Sequence, residues 1–482
     1  MHISVWGYRA FHDARCGKGG DVDSLLDPDA KPVSIIAVLA VSLSTVIAML
    51  DSTIANVALP LIAKDFSVSE SASILIINAY QFAVIATLLP FSALGRTFGN
   101  TRIFITGVIL FALSSLGCSL SGSLNMLTLF RVVQGMGAAA ILSVNAALIK
   151  EIYPARLLGR GLSINVMVVS VSAAAGPSVA STILSLANWN WLFTINIPVA
   201  CLSLILCLFS LRSSDYTVKP FDRGGAGLVF LTCLSFAFLT LSVTKNHACF
   251  AVVSFLVLVC LGRHLVRDQK IKQSHAMIPV AMFSSSVFSL SLAMSLLSYS
   301  TQLLAYVALP FYFHNTLHRD VVQAGLMLTA WPLATMMTSL IAGELSTRFG
   351  AERVAIAGLL MLVVGMFLMI WLPHMPSNGQ ILWRVALCGF GFGLFQSPNN
   401  LLIMTAVSPE QNNIASGLLG TSRLTGQIIG SALVAVMFNV FGGGAIRASM
   451  VAGTLFSLLS LGVSYLRIRQ KHRRKSLHTH AR

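Results

Sequence analysis

Apolar residues run for twenty or more positions at a time along most of the chain, and short stretches rich in charge, Gly and Pro separate the runs. A helix that crosses a bilayer takes about 20 mostly apolar residues. On that measure the runs predict fourteen transmembrane helices: 33–60, 73–92, 103–121, 126–149, 162–184, 191–211, 224–244, 249–266, 284–313, 323–343, 354–372, 382–407, 413–441 and 447–467. An even count puts both chain ends on one side. The first run breaks its own pattern. Residues 47–60 read IAMLDSTIANVALP, so Asp51 is a carboxylate at membrane depth, at a cost of roughly 2.5–3.5 kcal/mol on insertion scales.

Composition agrees with an all-α polytopic membrane protein. Of 482 residues, 56% are apolar and 10% are charged, where a soluble domain carries about 25% charged residues. Residues 1–31 are polar and mixed in charge, without the short apolar core and small-residue cleavage site of a signal peptide, so the first helix is expected to act as an uncleaved insertion signal. The net charge of +16 does not imply nucleic acid, because the basic residues sit in short loops between apolar runs. With both termini cytoplasmic, most of the 32 Lys and Arg lie on the cytoplasmic side. Only Lys64, Lys245, Arg319 and Arg447 fall outside, while Arg131, Arg384 and Arg423 fall within spans. That asymmetry sets the expected orientation. The eight cysteines form no CxxC pair, and most lie inside apolar runs as small buried hydrophobes.

The chain also repeats itself. VALP at 57–60 returns at 307–310, and SALGRTFGNTRIFITG at 92–107 aligns without gaps on GELSTRFGAERVAIAG at 343–358. GMGAA at 135–139 has a weaker echo in GFGFG at 389–393. The expected organisation is a tail (1–32), a six-helix bundle (33–211), two inserted helices (224–266), a second six-helix bundle (284–467) and a basic tail (468–482). Two parallel six-helix halves suggest a rocker-type transporter with its substrate site between them near the midplane. In the repeat Asp51 aligns with Thr301, so packing of the repeat does not require the acid.

Several stretches resemble the major facilitator superfamily, in its 14-helix drug:proton antiporter-2 branch. LDSTIANVALP at 50–60 is similar to that branch's first-helix signature, RVVQGMGAA at 131–139 to its fourth-helix motif, AAAGPSVAS at 173–181 to its fifth-helix antiporter motif and WNWLFTINIP at 189–198 to its sixth-helix start. The resemblance implies gating and conformational roles for Gly135, Gly176 and Pro177, and for the loop residues Arg96, Gly99 and Arg102 with their repeat partners Arg348, Gly350 and Arg353. Arg96 stands where the branch has an Asp that helps latch the inward gate. Ser172, Ala180 and Ser181 stand where it has Gly, and all three are small enough for close helix packing.

Asp51 is the only acid deep within any expected span. It lies roughly 24 Å along the first helix, and Arg131 roughly 8 Å into the fourth. The depths are compatible with an ion pair that breaks when Asp51 takes up a proton, or with a fixed structural pair. Arg423, in GTSRLTGQIIG, either lines the cavity or holds a helix carbonyl. Arg384 lies near a helix end, where snorkelling to headgroups explains it. FQSPNN at 395–400 sets Gln396, Asn399 and Asn400 beside a helix-bending Pro398. Asn56, Asn78, Gln81, Asn145 and Asn165 are further polar positions at membrane depth; each is a substrate contact or helix–helix glue. Tyr80 and Trp331 could stack on an aromatic or cationic substrate, or simply pack. GFGFG lies inside an apolar run with no strand before it, so it is not a dinucleotide loop. No metal cluster or nucleophile–base pair is evident, and no cofactor is expected.

The expectation is a proton-driven exporter of amphipathic, cationic or aromatic compounds in a bacterial inner membrane, not an enzyme. It would be monomeric and take a small molecule and protons as partners, with no nucleic acid. The drug-export part rests on the resemblance. A dedicated metabolite or siderophore exporter is the alternative within transport, and a receptor that has lost transport is the alternative outside it.

Overall fold

The computed structural model describes residues 34–154, 157–211, 223–244, 247–272, 280–373, 375–408 and 411–480. The expected tail 1–32 lies outside them, as does the Arg96 side chain. The first half holds α1 (Ile35–Asp65), the single turn α2 (Glu70–Ser73), α3 (Leu75–Phe98), α4 (Asn100–Ser119), α5 (Leu124–Ile152), α6 (Leu158–Leu186), the short α7 (Trp191–Thr194) and α8 (Asn196–Ser210). Next come α9 (Arg223–Thr244) and α10 (Ala248–Lys272). The second half holds α11 (Ser286–Phe311), α12 (Val321–Phe349), α13 (Ala351–Ile370), α14 (Asn378–Thr405), α15 (Asn412–Phe441) and α16 (Ala445–His480). No strand occurs among the described residues.

Local chemistry sets several ends. Ser34, Ser123 and Ser285 cap α1, α5 and α11 with side-chain oxygens that accept backbone N–H groups. Ser377 and Gln380 close a reciprocal capping box on α14. Gly99 (φ 97°) and Gly350 (φ 86°) turn α3 into α4 and α12 into α13, and each N–H reaches back to a carbonyl at 3.0 Å. A side chain at such a φ is strained, so these two glycines of the aligned loops have a conformational reason.

Two boundaries differ from expectation. The first helix does not stop near Pro60 but continues through it to Asp65. Pro removes one N–H and crowds one carbonyl, which packed neighbours in a bundle tolerate. Asp51 is therefore near mid-helix, roughly 24 Å from Ile35 and 21 Å from Asp65 at 1.5 Å per residue. The expected tail from 468 instead continues α16 as helix to His480. Among the described residues, twelve stretches are long and apolar enough to cross a membrane. One of them, Ile414–Gln470, runs across both α15 and α16, and α14 is not among the twelve; Arg384, Gln396, Asn399 and Asn400 lower its hydropathy.

The repeat reappears as matched crossings. A Cβ on Gly137 would lie 2.7 Å from Phe111 N and 3.0 Å from Gly107 O, and one on Gly358 would lie 2.7 Å from Gly391 O. Small residues thus bring α4 onto α5 and α13 onto α14. Gly135 meets the carbonyl of Tyr80 on α3, and Gly389 meets that of Trp331 on α12. The halves touch through α6 with α12, α3 with α15 and α1 with α11. The inserted α9 packs on α3 and α15, and α10 packs on α9 with Phe250, Val252, Phe255 and Leu256 exposed.

Candidate functional site

The end of the bundle where α1 finishes is called here the Asp65 end, and the opposite one the Gly99 end. Asp51 is 2% exposed and Arg131 is 1% exposed. Arg131 Nη1 donates to Asp51 Oδ2, forming a buried ion pair between α1 and α5. The second carboxylate oxygen, Oδ1, accepts from Gln134 Nε2 at 3.0 Å and from Asn196 Nδ2 at 2.9 Å. Gln134 binds further: its Oε1 accepts from Arg131 Nη1 at 2.7 Å, and its Nε2 donates to Ser115 Oγ at 2.9 Å. The guanidinium lies 4.3 Å from the Tyr80 ring centroid and 5.6 Å from that of Phe193. Five longer helices and α7 thus converge on one ion pair whose burial is offset by hydrogen bonds and ring faces.

Sequence reading placed Asp51 and Arg131 together but missed Gln134 and Asn196. Gln134 had a signal, since it follows Arg131 by three residues and shares its helix face. Asn196 had none, because α8 reaches α1 only through the fold. Of the two roles open to Tyr80 from sequence, stacking on a substrate or packing, it packs: its ring lies under Arg131, and its hydroxyl donates to Ala48 O at 3.2 Å.

A second polar cluster lies in the other half. Arg423 of α15 is half-buried and donates from Nη2 to Asn400 Oδ1 at 2.9 Å. Its guanidinium is 5.4 Å from the Tyr299 ring centroid, and Gln396 Nε2 donates to the Tyr299 hydroxyl at 2.6 Å. The Nε of Arg423 is buried with no hydrogen-bond partner. Gln396, Asn400 and Arg423, all candidates from sequence, therefore form one group. Asn145 and Asn399 do not join it. Each closes onto a hydroxyl of its own half, Asn145 Nδ2 on Thr45 Oγ1 at 2.5 Å and Asn399 Nδ2 on Ser295 Oγ at 2.9 Å.

The remaining candidates scatter. Asn56 Oδ1, Gln81 Oε1 and Trp331 Nε1 are buried without partners, and the Trp331 ring meets Tyr306 edge-on at 5.5 Å. Asn165 lines a small cleft of the first half with Val41, Ile149 and Tyr153. Arg384 donates to Gln380 O and lies over Trp383, as a residue near a helix end does. At the Gly99 end, Arg102 and Arg353 are exposed, and Arg348 pairs with Glu344 on the same exposed helix face. Gly176 meets Thr53 of α1, and Pro177 O is 2.8 Å from where a Cβ on Gly325 would lie, so the fifth-helix motif sits between α1 and α12 at the Asp65 end. Arg467, which the hydropathy pattern assigns to the tail boundary, is 1% exposed. It donates to Ser291 Oγ at 2.7 Å and Asn399 Oδ1 at 3.1 Å. Its signal was a polar stripe at helical spacing, Ser457, Ser460, Ser464 and Arg467, all buried.

At the Asp65 end the halves are joined by polar contacts. Ser178 and Thr329 share a hydrogen bond of 2.8 Å, Ser431 donates to Asn78 Oδ1 and Asn315 donates to Glu70.

Residues 41–297 and 288–481 match the family profile described as Major Facilitator Superfamily. The chain is 43% identical to the uncharacterized transporter YebQ of Escherichia coli (strain K12), over 91% of this chain and 96% of that one. It is 28% identical to the riboflavin transporter RibZ of Clostridioides difficile (strain 630), over 84% and 88%. It is 26% identical to the multidrug resistance protein Stp of Mycobacterium tuberculosis (strain CDC 1551 / Oshkosh), over 87% and 77%. Among solved structures, the peptide transporter POT in complex with sulfate superposes with a TM-score of 0.70 at 14% identity, covering 91% of this chain and 94% of that one; this supports the fold alone.

Proposed function

The chain belongs to the Major Facilitator Superfamily, and on that premise we propose that it is a proton-coupled exporter of amphipathic compounds, working by alternating access, with Asp51 and Arg131 as the coupling pair. It is a transporter rather than an enzyme. The observation that carries the coupling role is the Asp51 carboxylate, among the described residues the one acid buried at mid-helix, with its two oxygens divided between different partners.

That division has a chemical consequence. Oδ2 holds only Arg131, while Oδ1 holds both amides. A proton arriving on Oδ2 therefore displaces Arg131 and leaves the carboxyl anchored by Gln134 and Asn196. In the conformation described here the contacts of the Asp65 end separate Asp51 from that side. Parting α6 from α12 and α3 from α15 opens a route for the proton. With both termini in the cytoplasm of a bacterial inner membrane, the Asp65 end faces outward, so protons enter there and leave on the Gly99 side as substrate moves the other way.

The multidrug resistance protein Stp among the relatives supports drug export, and the riboflavin transporter RibZ supports a metabolite with an aromatic ring system. Of the two substrate chemistries expected from sequence, cationic and aromatic, the charges favour aromatic. The buried acid is already paired, and a cationic guest would meet the half-buried Arg423. The test is pH-jump efflux from proteoliposomes with protein levels matched. Asp51→Asn should lose uphill efflux entirely, and Asp51→Glu, which keeps a titrating group, should retain a part. Uphill efflux by Asp51→Asn under a proton gradient would end the coupling assignment.

A further inference from the structure

Arg423 is an unusual cation for this position. Its hydrogen-bonding partner Asn400 is neutral, its Nε has no partner, and no carboxylate lies within ion-pair distance of it among the described residues. The turn of α15 that carries it faces the seam between the halves. Leu424 packs against the first-half core that contains Tyr80 and Val84, and a Cβ on Gly420 would lie 3.9 Å from Leu88 of α3. Arg423 is half-buried as a residue, with its Nε enclosed, so part of the side chain stays exposed where α15 borders the seam. A desolvated guanidinium that makes one bond to an amide and one to a ring face retains capacity for an acceptor.

Among the described residues of the spans, no carboxylate offsets it. Asp51 is occupied by Arg131, and Arg467, a deeply buried cation of the second half, sits near the Gly99 end, bonded through Nη1 to a hydroxyl and an amide with its Nε and Nη2 unpartnered, away from the seam contacts of Arg423. The seam therefore presents a positive group with hydrogen-bonding amides, Asn400 and Gln396, beside the Tyr299 ring, and an apolar wall on the α3 side.

We infer that this cluster is an anion-accepting subsite: the transported compound carries a carboxylate or similar acidic group that binds Arg423, with an aromatic or aliphatic body lying along the seam. The inference deepens the exporter reading and rests on it for the word transported, while the binding site itself can be tested without transport. The acid supplies the charged acceptor that neutral Asn400 does not. Asn400 shifts from sole partner to one of two, and Tyr299 covers the flat side of the guanidinium.

The test uses full-length protein in lipid nanodiscs and two probes that share a xanthene frame but differ in charge, anionic fluorescein and cationic rhodamine 123, followed by fluorescence anisotropy at equilibrium with no proton gradient. A charge-assisted pair sets the expected preference: fluorescein binds at least about tenfold more tightly than rhodamine 123. Arg423→Gln removes the preference, and Arg423→Lys, which keeps the charge but loses the planar fork, keeps a part of it. Thermal unfolding of both variants checks that they fold. Equal or tighter binding of rhodamine 123, binding of neither probe, or an unchanged preference in Arg423→Gln overturns the inference. A protein that prefers fluorescein yet shows no uphill efflux overturns the exporter reading and leaves the subsite standing.

Discussion

The two halves solve the same packing problem with different chemistry. Gly135 and Gly389 mark matching crossings of α5 on α3 and of α14 on α12. Counting from them, Gln134 corresponds to Cys388 and Arg131 to Val385. Asp51 corresponds to Thr301, which donates to Leu297 O and Gly453 O, both at 3.2 Å, so Gly453 takes the place of Asn196. Val385 and Cys388 are as buried as Arg131 and Gln134. One half thus fills this site with an ion pair and two amides, and the other fills it with a hydroxyl that bonds backbone carbonyls and with apolar side chains. The fold is content with either. The costly version is present once, which is the physical reason to give it work beyond packing.

The comparison breaks most sharply at Arg131. Arg131→Val copies the second half's residue but strands a buried carboxylate, and should cost about 3–5 kcal/mol in a thermal or denaturant unfolding measurement. Adding Asp51→Thr completes the copy and should return most of that stability while uphill efflux stays absent. A double variant no more stable than the single one would show that the halves are not interchangeable at this site.

A smaller effect is expected where the halves agree. Gly137→Ala and Gly391→Ala each push a methyl into a facing backbone, and each should destabilise by about 1–3 kcal/mol. A large difference between them would mean that one crossing is looser than the matched geometry implies. The smallest effect belongs to the insert. Ser235 Oγ donates to Ser254 O at 3.0 Å between α9 and α10. Ser235→Ala should cost about 1 kcal/mol and leave the resistance spectrum of an expressing strain unchanged. An altered spectrum would place α9 on the substrate route.

Much of this was legible in the chain itself. Helix positions follow from apolar run length, because a bilayer admits only backbone whose hydrogen bonds close within the segment. Asp51 and Arg131 stood out because charge at membrane depth is costly, and the Gly99 and Gly350 loops stood out because the repeat aligned them. Boundaries were less legible: Pro60 looks like a stop, yet packing carries α1 through it.

What one chain pattern could not supply was partnership. Periodicity assigns a residue to a face of its own helix, whereas the neighbour across that face depends on how several helices pack. Asn196 and Asp51, 145 residues apart, meet only because α8 lies on α1. The same holds for Tyr80, whose ring supports Arg131, and for Arg467, which the pattern leaves at the end of its span and which enters the core because α16 seats its polar stripe against α11 and α14. The sequence by itself determined which groups are too costly to be idle. The tertiary structure alone decided which of them are satisfied, as in the Asp51 network, and which, like Arg423, still have a donor to give.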